Sequence, residues 1–217
     1  MSGFISRFLV LSAMMFALTG CFKSSDATES EPEVSSKESV TEISTDFKVL
    51  SAEDYFADQK GDFVVEFLWL GCSHCQDVET HVSNVKNDYP RVNVIKVPAT
   101  FNERWKMDAE IYYAATELGM NATELLDYYK TVRLGTNQLP TLDDVRLFVE
   151  SKGYDQSEFD RLLSSVGVAN KLEQADALVK EFNIRGTPTF VTNGKDIVSS
   201  EGVSGYEGLV RKVFSDF

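Results

Sequence analysis

The stretch DFVVEFLWLGCSHCQDV, Asp62 to Val78, decides how this chain folds. Its first half, DFVVEFLWL, is a nearly continuous apolar run rich in branched and aromatic residues. Such a run suits a strand covered on both faces, and hence a central strand with a parallel neighbour in an α/β fold. Beyond it, Cys75, Val78, Val82, Val85 and Tyr89 recur at alternating spacings of 3 and 4, which predicts the buried stripe of a helix that ends before Pro90. The junction therefore places Cys72 at the N-terminus of that helix and turns Cys75 inward. Two cysteines with a histidine between them could serve as a catalyst, a metal clip or a passive disulfide, and the rest of the chain has to choose.

Working outward, VNVIKV (Val92 to Val97) predicts a second strand and completes a β-α-β unit, whose crossover is expected to be right-handed. From Asn102 to about Ser165 the pattern is helical throughout. Trp105, Ala109, Tyr112 and Ala115 share a face, Gly119 can end that helix, and Asn121 with Glu124, Thr141 with Asp144, and Asp155 with Glu158 read as N-cap signals. A long helix follows with Leu172, Ala175, Val179 and Phe182 in register. The sheet then returns as TPTFVT, an Asn193-Gly194 turn, and KDIVSS, which is a strong hairpin signal. The chain closes with SGYEGLVRKVF, where Ser204 and Glu207 predict a capping box and Tyr206, Leu209, Val210 and Val213 one apolar face. On the N-terminal side, DFKVL predicts a short strand, with a polar helix around Ala52 to Ala57.

The 217 residues suit one main globular unit, and 34 acidic against 21 basic residues, with no block of Lys and Arg, exclude a nucleic-acid binder. Residues 1–20 read as a targeting segment: Arg7 precedes the apolar run FLVLSAMMFAL, which is too short to span a bilayer. The following LTGC, Leu18 to Cys21, resembles the lipobox of bacterial lipoproteins. That resemblance implies lipidation of Cys21 as the first mature residue, and several acyl chains give lasting attachment at ~0.8 kcal/mol per buried methylene. Residues 21–46, rich in Ser, Thr and Glu, cannot bury enough to order themselves, and as a flexible coil would reach roughly 25 to 30 Å. With Cys21 acylated, Cys72 and Cys75 are the two cysteines left, so none remains for a structural disulfide.

A cysteine attacks as its thiolate, so a catalytic cysteine needs stabilised negative charge on a reachable sulfur, and a helix N-terminus supplies both. Cys72 is placed to be the nucleophile. His74 can add positive charge or a hydrogen bond, and Cys75, one turn later and inward, can resolve a mixed disulfide. Zinc would usually need four ligands, and beyond this motif the chain offers one more histidine, His81, beside the buried stripe. No metal and no cofactor is expected. Glu66 is the one charge within the run Phe63 to Leu70, and a buried carboxylate needs water or a partner.

The segment IRGTPTF, Ile184 to Phe190, makes the resemblance specific. A C-x-x-C at a strand-to-helix junction, a helical insertion, and Gly-Thr-Pro opening a returning hairpin look like the DsbA family of periplasmic thiol-disulfide oxidoreductases. The likeness implies an α/β thioredoxin-like fold over residues 47–217, with an inserted all-helical domain at about 102–167. It implies a cis peptide before Pro188 beside the cysteines, a substrate edge at Thr187 and Pro188 that pairs with an extended segment, and Lys96 as the partner of Glu66 in a proton relay or structural pair. Ser73 departs from the proline common between the two cysteines, which bears on oxidising strength. Taken with the lipobox, the resemblance implies a lipid-anchored monomer on the periplasmic face of a bacterial membrane that oxidises unfolded or reduced exported proteins and is recycled by a DsbB-like membrane partner. Phe22 after Cys21 offers no aspartate retention signal, so the outer membrane is preferred. The alternatives are a reductase or isomerase of the same fold, and a non-catalytic lipoprotein that binds peptides or metal.

Overall fold

In a computed structural model of the chain, which describes residues 47–200 and 202–217, the apolar run becomes strand β1 (Phe63–Leu68), buried at every position. Both faces are covered because successive side chains alternate. Val65 and Phe67 meet Ala175, Leu178 and Val179 of one helix layer, whereas Val64 meets Val78, Val82, Val210 and Val213 of another. The described residues all lie within the compact unit Ser44–Phe217. The leader (1–20), the tether (21–46) and Cys21 fall outside the described residues.

The cysteine helix α2 (Ser73–Asp88) buries Cys75, Val78, Val82 and Val85 along the expected stripe, and it carries the chain over to β2 (Asn93–Pro98). Strand β2 runs parallel to β1, in a register that pairs Glu66 with Lys96. The hairpin of β3 (Thr189–Thr192) and β4 (Asp196–Ile197) turns through Asn193 (φ 47°) and Gly194 (φ 65°). A two-residue hairpin turn of this kind needs positive φ at both positions, which is why Asn-Gly is found there. Strand β3 is antiparallel to β1, so the sheet is mixed, in the order β2-β1-β3-β4.

Between β2 and β3 lie α3 (Glu103–Glu117), α4 (Ala122–Thr136), α5 (Leu142–Ser151) and α6 (Gln156–Leu163), and then the long α7 (Val166–Glu181). Their starts follow side-chain chemistry: Asn121 accepts from the Thr123 N–H, Thr141 and Asp144 form a reciprocal capping box, and Asp155 accepts from the Ser157 and Glu158 N–H groups. The inserted helices bury Ile111, Leu125, Tyr129, Val149 and Phe159 in one core with Leu68, Leu70, Cys72 and Cys75. The insertion therefore packs directly on the cysteine end of the sheet.

Two local expectations are corrected. DFKVL forms no strand over its described residues; after the extended approach comes the short helix α1 (Ala52–Tyr55). The Leu50 backbone is satisfied by a side chain instead, since Gln174 on α7 accepts from its N–H at 2.9 Å and donates to its carbonyl at 2.9 Å. A buried amide doing the work of a neighbouring strand leaves no alternating pattern in the sequence to reveal it. Likewise, Ser204 precedes α8 (Gly205–Phe214) but makes no side-chain capping bond. The chain enters α8 through Gly205 at φ 68°, and Glu207 accepts from Arg211 at 3.0 Å rather than reaching back.

Candidate active site

Cys72 is the N-cap residue of α2, and its sulfur accepts a hydrogen bond from the Cys75 N–H at 3.1 Å. In its protonated form Cys72 Sγ can also donate to the Thr187 carbonyl, 3.5 Å away. Hydrogen bonding from the Cys75 side chain is the largest influence on the Cys72 thiol; with help from the Thr187 side chain and the backbone N–H groups of Cys75 and His74 it outweighs burial and holds the pKa down at about 6. Cys75 differs sharply. Burial, followed by the adjacent Cys72 sulfur, pushes its thiol far above the ordinary range. Both cysteines are free thiols, with Cys72 8% exposed and Cys75 0%. One helix end thus holds a reachable thiolate and, one turn on, an enclosed thiol. Iodoacetamide should accordingly modify Cys72 with a rate that is half-maximal near pH 6 and leave Cys75 unmodified through pH 8 in the folded protein. Equal labelling of the two sulfurs, followed by peptide mass spectrometry, would show that the division of roles is wrong.

The loop before β3 closes over this end. The Thr187-Pro188 peptide is cis, and the Thr187 carbonyl faces the Cys72 sulfur, so the structure brings Cys72, Cys75, Thr187 and Pro188 together. His74 sits differently from the simplest sequence expectation. Its backbone contributes to the Cys72 sulfur's environment, while its imidazole Nδ1 makes a short hydrogen bond with the Tyr206 hydroxyl of α8. Among the described residues no group of three or more His, Cys, Asp or Glu side chains converges as a metal-binding set.

Glu66 and Lys96 meet as their register requires, Lys96 Nζ donating to Glu66 Oε2 at 2.6 Å. A third member was not anticipated. Lys96 also donates to Glu79 Oε2 at 2.5 Å, and the Thr123 hydroxyl of α4 donates to Glu79 Oε1 at 2.6 Å. Glu79 lies four residues after Cys75 and one after Val78, so the helical stripe itself marks it as inward facing. Glu66 Oε1 is buried and has no hydrogen-bond partner among the described residues. Burial raises the Glu66 carboxyl above the usual carboxylate range against the pull of Lys96, and negative charge on Glu79 and Cys72 adds to the rise. For Lys96 burial works downward, but the two carboxylates together carry its ammonium above its ordinary value. Two carboxylates share one ammonium, so a proton is held readily on Glu66 and responds to the charge on Cys72.

Further side chains fix the cysteine loop to the insertion. The Trp69 indole N–H donates to Asp108 Oδ2 at 2.7 Å, and Asp108 also accepts from Arg104 Nε at 3.0 Å and the Tyr129 hydroxyl at 2.8 Å. The Trp69 carbonyl in turn accepts the Cys72 N–H at 3.0 Å. Gly71 is required beneath this ring, because a Cβ there would lie 2.5 Å from the Trp69 side chain. Gln76 donates to the Leu70 carbonyl at 2.7 Å and accepts from Arg133 at 2.9 Å. No sequence signal pairs Trp69 with Asp108 or Gln76 with Arg133, since each contact spans elements far apart in the chain.

Residues 97–211 match the family model described as a DSBA-like thioredoxin domain. Among curated relatives, the thiol:disulfide interchange protein DsbA of Pseudomonas syringae pv. tomato is 26% identical over 133 residues, covering 61% of this chain and 62% of that protein. The protein of the same name from Burkholderia cepacia is 27% identical over 152 residues, covering 69% of this chain and 72% of the relative. The chain thus spans somewhat under two thirds to nearly three quarters of the relatives' length. In fold it is similar to the crystal structure of Pseudomonas aeruginosa DsbA, with a TM-score of 0.63 at 22% identity, over 74% of this chain and 83% of that one. The matched span takes in the helical insertion and the Thr187-Pro188 loop, which close on Cys72 and Cys75, and the chain belongs to the DSBA-like thioredoxin-domain family.

Proposed function

We propose that the Cys72–Cys75 pair oxidises dithiols in exported proteins. The observation that carries this reading is the placement of two sulfurs on one helix end, Cys72 at the N-cap accepting the Cys75 N–H and facing the Thr187 carbonyl while Cys75 is fully enclosed, an arrangement that holds the first thiol down and drives the second up. In the oxidised protein a substrate thiolate attacks Cys72, the Cys72–Cys75 bond breaks, and Cys75 leaves as a thiolate that takes a proton. The buried Glu66–Lys96–Glu79 group is the nearby reservoir we assign to that proton. A second substrate thiolate then attacks its own sulfur in the mixed disulfide, and Cys72 leaves. Low Cys72 basicity makes it a good leaving group, and the substrate departs oxidised while the enzyme carries two thiols. A membrane oxidant that accepts the two electrons, DsbB-like in kind, restores the disulfide. The backbone at Thr187, beside Pro188, supplies the edge on which an extended substrate segment pairs.

The direction is tested by equilibrium with glutathione. A depressed Cys72 pKa means that the reduced form binds fewer protons folded than unfolded. Its contribution to stability is therefore full above the unfolded pKa of about 8.5 and is lost as pH falls through about 6. At pH 7 this amounts to about 1 kcal/mol after allowance for solvent screening. The oxidised form has no such thiolate. We expect the pair to equilibrate on the oxidising side of glutathione, and the reduced protein to resist urea better than the oxidised at pH 7, by a margin that shrinks toward pH 5. An equilibrium on the reducing side would replace the oxidase reading with a reductase one.

We further propose that Cys21 carries the lipid anchor, on the strength of LTGC after a short apolar run, and that the tether sets the domain off the periplasmic face of a membrane, the outer one preferred. Intact-mass measurement of the mature protein should show acyl additions that Cys21→Ala removes. A mature chain without acyl mass would end the anchoring proposal.

A further inference from the structure

The chain contains two histidines, His74 and His81, and both lie on α2 against the same ring, that of Tyr206. The ring centroids are 6.0 Å apart for His74 and 6.3 Å for His81. Tyr206 stands in the first turn of α8, which packs along α2 through Val78, Val82, Val210 and Val213. Its hydroxyl bonds His74 Nδ1 directly. The Cys72 sulfur, meanwhile, draws on the N–H groups of the helix end, and from His74 it receives a backbone contribution. A side chain two residues beyond an N-cap cysteine is within reach of the sulfur, yet here a phenol from another helix engages the imidazole.

We propose that Tyr206 is a positioning residue that holds the His74 imidazole on α8 and off the Cys72 thiolate, and so limits the oxidising strength of the pair. The inference rests on the oxidoreductase reading given above. Charged and titratable groups facing the phenol are few: His74 and His81 from α2, with Asp77 and the two cysteine sulfurs contributing at longer range. Partial desolvation, then the negative charge of Asp77 and of both sulfurs, holds the Tyr206 hydroxyl above its ordinary pKa, so it remains a proton donor throughout the working range. Asp77 is itself paired with Lys130 at 2.8 Å, which leaves the phenol as the partner that the structure gives His74. Without the hydroxyl, the ring can turn over the helix end, where an imidazole N–H or imidazolium favours the thiolate.

Tyr206→Phe keeps the ring and removes the bond. The Cys72 pKa, read from thiolate absorbance at 240 nm, should fall by about half a unit to one unit in this variant. Its equilibrium with glutathione should shift about three- to tenfold toward the reduced enzyme, the factor that such a change carries. Both changes should vanish when Tyr206→Phe is introduced into a His74→Ala background, since the effect runs through the imidazole. An unchanged or raised Cys72 pKa, a shift that persists without His74, or a loss of urea stability alone would each overturn the positioning role. A titration shift in Tyr206→Phe together with wild-type protein inert toward glutathione would support the positioning role and sink the oxidoreductase reading.

Discussion

Cys72→Ser is expected to abolish dithiol oxidation, whereas in Cys75→Ser the Cys72 thiolate should still attack an offered disulfide, expel one of its thiols and accumulate as a stable mixed disulfide. The difference follows from placement. The Cys72 sulfur lies at the mouth of the helix, hydrogen-bonded by the Cys75 N–H and 8% exposed, while Cys75 is enclosed by Leu68, Leu70 and the helical insertion. A thiolate half-formed near pH 6 attacks or leaves readily at neutral pH, and a thiol pushed far up by burial does so only when directly presented with the adjacent sulfur. Non-reducing gels of each variant mixed with a reduced, unfolded secretory substrate and a glutathione buffer distinguish the two. Mixed disulfides trapped through Cys75 in Cys72→Ser would reverse the assignment.

Lys96→Met is expected to destabilise the reduced folded domain by about 3–5 kcal/mol, the cost of leaving a buried charge without its counterion. Lys96 is the common partner of two buried carboxylates, Glu66 at 2.6 Å and Glu79 at 2.5 Å, and Glu66 Oε1 already lacks a hydrogen bond among the described residues. The deficit has a definite pH dependence. Burial raises the folded Glu66 pKa above its unfolded value, so the folded state binds that proton more tightly, and stability falls as pH rises from the ordinary carboxylate range through the folded pKa. Removing the ammonium raises the folded value further, and Lys96→Met should therefore come nearest to wild type in acid and depart most at neutral and alkaline pH. Urea unfolding at several pH values measures this. A loss below about 1 kcal/mol at pH 7 would mean that the carboxylates are hydrated or neutral without Lys96.

The sequence by itself determined the central strand, the cysteine helix, the crossover, the run of inserted helices and the Asn193-Gly194 hairpin. All of these are periodic or local: the 3.6-residue stripe through Cys75, Val78, Val82 and Val85, the reciprocal cap of Thr141 and Asp144, and the positive φ angles that Asn-Gly accommodates. The same locality explains why the helix-end position of Cys72 and the inward position of Cys75 were legible, because the two are one helical turn apart at a predicted helix start. Beyond the local caps and the Glu66–Lys96 pair, tertiary structure alone decided which distant groups the polar side chains touch. Glu79 joined Glu66 on Lys96 across α2 and β2, and Gln174 took the place of a strand beside Leu50. Asp108 gathered Trp69 from the loop after β1 and Tyr129 from α4, and Tyr206, which the helical pattern placed simply on an apolar face, turned its hydroxyl to His74. Periodicity reports which side of an element meets the core. It carries no record of which distant donor satisfies a buried acceptor, since that depends on how two helices and a sheet come to rest against one another, and a hydrogen bond is made or lost within a few tenths of an ångström.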